Sequence, residues 1–61
     1  MNIREKIENI LKNKGIKFEG AMCFYFNEND TKVTVYDMDY TTFNKKLIGY
    51  YLVPFNNFVR A

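Results

Sequence analysis

The sequence predicts an α+β fold: an N-terminal helix packed on a three-stranded antiparallel β-meander, with the C-terminal segment as a fourth strand in the alternative arrangement. Three observations point there. Aliphatic residues recur at helical spacing over residues 3–11, between a capping asparagine and a glycine. Residues 21–40 read as two strands rich in aromatic and β-branched side chains, separated by a polar turn. Residues 47–53 form a third apolar run that stops at Pro54. At 61 residues the chain makes a single domain, residues 1–61. A domain this short buries only about 60% of its unfolded surface, so a partner chain is a natural source of extra support.

The helix is expected over about residues 2–14. Asn2 supplies the N-cap, and Glu5 stands three residues on, as in a capping box. Ile3, Ile7, Ile10 and Leu11 make one apolar stripe. Arg4 with Glu8, and Glu8 with Lys12, are i,i+4 pairs on the wet side. Gly15 fits the left-handed C′ position, which sets Ile16 against Leu11 in a Schellman ending. Arg4, Lys6, Lys12, Lys14 and Lys17 could form a basic strip, but Glu5 and Glu8 interrupt it, and a solvated face explains the pattern.

The first strand is expected over residues 21–26, the second over 32–40, with Asn27 to Thr31 between them. Gly20 reads as a bend or bulge at the strand start. Register follows from keeping like with like. Phe26 opposite Val33 and Phe24 opposite Val35 share one face with Met22. Tyr25 then meets Thr34, and Cys23 meets Tyr36, on the other face. The helix-facing set is Met22, Phe24, Phe26, Val33 and Val35; the far set is Cys23, Tyr25, Thr34, Tyr36, Met38 and Tyr40. Phe43 is expected to tuck under the sheet. Both alternating sets of the third strand are apolar, so periodicity does not orient it, and Gly49 marks a bulge or a close approach. Phe55, Phe58 and Val59 are too apolar for a free tail and are expected to dock on the sheet or on another subunit.

The composition excludes several classes of function. Cys23 is the only cysteine and there is no histidine, so neither an internal disulfide nor a zinc-type site is available, and a thiol nucleophile would lack its usual base. The three glycines are scattered, so no phosphate-cradling loop exists, and no cofactor is implied. Asp37 and Asp39 form an Asp-x-Asp pair, but a hard cation wants six or more oxygens, and charges that blunt a strand end are the simpler explanation. No apolar run approaches the ~20 residues that cross a bilayer, and residues 1–11 mix charge with apolar groups, unlike a signal peptide. With a lone thiol, the expectation is a cytoplasmic protein. Net charge is +2, too small to mark a nucleic-acid binder, with an acidic middle and basic ends.

What remains is the tyrosines. Tyr25, Tyr36 and Tyr50 are expected to line one sheet face across three strands, with Met38 and Tyr40 at its margin. Tyrosine gives large, rigid, amphipathic contact area and is enriched at interfaces. The plain reading, phenol rings covering a thin sheet with their hydroxyls in water, competes with a binding surface. The functional expectation is a non-enzymatic protein-binding module that acts sterically or competitively on another protein, or through a homodimer. Asn, Lys, Ile, Tyr and Phe make up about half the chain, as AT-rich codons would produce. Small size and that bias suit a phage or mobile-element inhibitor of a host enzyme or defence complex. The alternative is a small nucleic-acid binder that stacks bases on Tyr25 and Tyr36 beside Lys32, Lys45 and Lys46.

Overall fold

The computed structural model describes residues 2–61. One helix, α1 (Ile3–Asn13), precedes four antiparallel strands: β1 (Ala21–Phe26), β2 (Lys32–Met38), β3 (Lys45–Leu52) and β4 (Asn57–Arg60). A 3-10 turn, Val53–Phe55, joins the last two strands. The sheet order is β1-β2-β3-β4, an open meander with β1 and β4 at its edges. The C-terminal segment is thus a fourth strand within the same chain.

Both ends of α1 form as the sequence implies. The Asn2 side chain accepts from the Glu5 N–H at 2.9 Å. Gly15 takes φ 73°, and the Ile16 N–H closes onto the Leu11 carbonyl at 2.9 Å. Arg4 and Glu8 approach to 3.4 Å on the exposed side. Ile7 and Leu11 are buried, together with Val33, Val35, Tyr51 and Phe58 from the sheet.

The β1–β2 register is the one expected: Phe26 opposite Val33, Phe24 opposite Val35, Tyr25 opposite Thr34, Cys23 opposite Tyr36. Asn27 builds the connecting loop. Its side-chain oxygen accepts from the N–H groups of Thr31 and Lys32 at 2.9 and 3.1 Å. Between β2 and β3 the register shifts, with Val35 opposite Gly49 but Tyr36 opposite Leu47. The extra residue, Ile48, makes a bulge and reverses the facing of everything before it. Gly49 is required there, because a Cβ would lie 2.6 Å from the Phe58 ring and also strike the Val59 carbonyl. Phe58 therefore seats its ring in the space that Gly49 leaves.

Several sequence expectations are corrected. β2 ends at Met38, not Tyr40. Asp39 breaks it by accepting at one carboxylate oxygen from the N–H and hydroxyl of Thr41 and the N–H of Thr42, at 2.7, 2.6 and 3.2 Å. This loop closes on itself and puts Phe43 at φ 61°, so its ring is 68% exposed instead of tucked under the sheet. β3 starts two residues early, because Lys45 and Lys46 pair with Met38 and Asp37. Of the three C-terminal apolar residues only Phe58 enters the core; Phe55, on the 3-10 turn, is 77% exposed. Phe26 is exposed as well, since β1 is the edge strand and α1 lies closest to the opposite edge, β4. Phe24 keeps partial cover, with the Arg4 guanidinium 6.0 Å from its ring centre and the Phe26 ring 6.2 Å away edge-on.

Candidate functional site

Antiparallel partners share a face, so the register defines the side of the sheet that α1 does not cover. One row runs through all four strands: Tyr25, Thr34, Tyr50 and Val59. The next row is Cys23, Tyr36 and Leu47, and beyond it lie Ala21, Met38 and Lys45. At the other end, Lys32 pairs with Leu52. Here the bulge has a functional consequence. Without it, Leu47 and Tyr50 would point to opposite sides; with it, both join this face, and Ile48 and Tyr51 go to the helix side. The second face therefore carries apolar or aromatic side chains on all four strands, and among the described residues no segment lies over it, because β4 widens the sheet instead of folding across it.

Exposure varies across the face. Tyr25, Leu47 and Val59 are 49%, 40% and 47% exposed, and Cys23, Thr34, Tyr36, Met38 and Tyr50 are half-buried. The rings brace one another. Tyr25 and Tyr36 meet edge-to-face with centroids 5.8 Å apart. Cys23 Sγ lies 3.9 Å from Met38 Sδ, a soft contact within the same surface. Two lysines lie across the aromatics: Lys32 Nζ is 5.0 Å from the Tyr50 ring centre, and Lys45 Nζ is 4.7 Å from that of Tyr25. Lys45 also donates a short hydrogen bond to the Tyr25 hydroxyl, and this bond raises its pKa above the ordinary lysine value. Lys45 is a cation at any physiological pH.

The structure thus brings together four of the residues singled out from sequence: Tyr25, Tyr36, Tyr50 and Met38. Tyr40 is not with them. It lies beyond the strand end and lines a cleft of about 630 Å³ between α1 and β1, with Arg4, Leu11, Ile16, Phe18 and Met22. Leu47, Leu52 and Val59 belong to the face and were not identified from the sequence. Gly49 was the available signal for the first, since a bulge there reverses the side on which Leu47 emerges.

The two aspartates do separate work. Asp37 points to the helix side, where its two oxygens accept from the N–H groups of Glu19 and Gly20 at 3.0 and 2.9 Å, pinning the loop from α1 into β1. Asp39 serves its own turn, and the side-chain hydrogen bond from Thr41, followed by backbone bonds from Thr41 and Thr42, lowers its pKa. Among the described residues, no group of three or more His, Cys, Asp or Glu side chains converges to hold a metal ion. No helix among them is long and apolar enough to cross a membrane. Comparison with protein-family models, with curated proteins and with solved structures returned no match.

Proposed function

We propose that this chain is a non-enzymatic binding module that presents the second face of its sheet to another protein and acts by occupying that protein's surface. The observation that carries this reading is the row Tyr25, Thr34, Tyr50, Val59, with Tyr36, Met38 and Leu47 beside it, left uncovered in a domain whose core lies wholly on the other side. Contiguous apolar patches on small proteins mark interaction sites, and rigid tyrosines lose little entropy on contact. The module's action is steric: blocking an active surface or a docking site, as a small inhibitor of a host enzyme or defence complex would.

The test is a photo-crosslinking scan. A photoreactive phenylalanine replaces Tyr25 or Leu47 on the open face, or Lys12 on the helix. Protease-sensitive adducts formed in cells from positions 25 and 47, and not from position 12, are the expected result. Adducts of equal yield from all three positions would remove the reading.

One observation favours a second reading. Asp37 and Asp39 are taken up by backbone N–H groups, and no strand position on the open face is acidic, so its strands carry lysines without carboxylates, as a base-stacking surface would. Nuclease-sensitive adducts, or single-strand binding with a steep dependence on salt, would favour it.

A further inference from the structure

The charges on the open face say what its partner must present. The Lys32 and Lys45 ammonium groups reach in from the two ends of the face to within 5.0 and 4.7 Å of the Tyr50 and Tyr25 ring centres. No strand residue on that side is acidic. The ion pair found among the described residues, Arg4 with Glu8, is on the helix, and Asp37 and Asp39 are held by backbone N–H groups elsewhere. Lys32 has the Tyr50 ring beside it, and Lys45 has the Tyr25 ring and hydroxyl with Cys23 and Tyr36 close by; neither forms an ion pair with a carboxylate among the described residues. A partner that dries the tyrosines also strips water from these cations, and buried charge is tolerated only where opposite charge meets it.

Resting on the protein-binding reading above, we infer that the partner surface is apolar at its centre and carries carboxylates placed against Lys32 and Lys45. A second copy of the chain does not fit this requirement. A two-fold interface sets the same patch against itself, so it would bring four lysines together with no strand carboxylate between them. Nucleic acid would neutralise the charge, but two cations are few beside the dense positive charge of stacking platforms.

The experiment uses the full chain, immobilised, with a displayed library of random peptides as the probe. Two further measurements are made on the free protein: binding of fluorescent oligothymidylate, and sedimentation at tens of micromolar. The expected result is enrichment of peptides that pair aromatic or aliphatic residues with Asp or Glu. Their binding should disappear in Tyr25→Ser and in Tyr50→Ser. It should weaken about tenfold or more in the double variant Lys32→Glu/Lys45→Glu, which changes only exposed side chains and whose circular dichroism should match wild type. Peptides that need the tyrosines but show no acidic bias and ignore the charge reversal would overturn this inference and leave the protein-binding reading standing. Absence of any tyrosine-dependent peptide, tight oligothymidylate binding, or a stable dimer would overturn both.

Discussion

Two single residues carry more of this fold than their size suggests. Gly49 is where strand, bulge and Phe58 ring converge, and a Cβ there would sit 2.6 Å from that ring. Gly49→Ala must push β4 outward or rotate Phe58 out of the core. The expected cost is about 1–3 kcal/mol, read as a lowered urea midpoint with an unchanged slope. Asp39 acts through charge. Hydrogen bonds from Thr41 and Thr42 hold its folded-state pKa below the ordinary 3.8, so the carboxylate stabilises the fold above that value, and the contribution fades as pH falls through the folded pKa. Asp39→Asn is therefore expected to be less stable than wild type at about pH 6, with the gap closing toward about pH 2. No gap at any pH would show that the turn needs only the acceptor, which asparagine keeps, and not the charge. Only the first role was legible in the sequence. Gly49 stood out as a glycine inside an apolar strand, whereas the local turn of Asp39 was hidden because Asp37, two residues away, suggested a pair.

At the scale of elements, legibility tracked how strongly each face differed from the other. The helix declared itself through a cap, a stripe and a glycine stop, and all three form. The β1–β2 register followed from a choice between pairing Phe with Val and pairing Phe with Thr, and the structure adopts the first. β3 gave no such contrast, because both of its faces are apolar and a bulge inverts them midway. The C-terminal segment was ambiguous for a related reason: Phe55, Phe58 and Val59 are equally apolar, yet one is core, one lies on the open face and one is in solvent. That division makes a sharp prediction. Phe58→Ala removes a buried ring and should cost about 3–5 kcal/mol, comparable to the whole stability of a domain this small. Far-UV circular dichroism at room temperature should show a largely unfolded chain. Phe55→Ala, by contrast, should shift stability by no more than about 0.5 kcal/mol.

For the whole molecule, strand parity separates holding the fold together from meeting a partner. The core needs only the side that contains Val33, Val35, Tyr51 and Phe58, closed by Ile7 and Leu11. On the reverse side Tyr25, Leu47 and Val59 add little to stability, since they keep 40–49% of their surface in solvent after folding. Replacing those three together by threonine keeps β-propensity and strips the patch of apolar area. The triple variant should lose less than about 1.5 kcal/mol, because each site is exposed and only the Tyr25 ring has aromatic and lysine contacts to give up. In the same variant, the fluorescence of an apolar dye such as ANS should fall toward background under native conditions, and tyrosine-dependent peptide binding should vanish. If unfolding and dye binding changed in step, the open face would be part of the structural core, and a sheet that needs both sides to stand could not offer one of them to another protein.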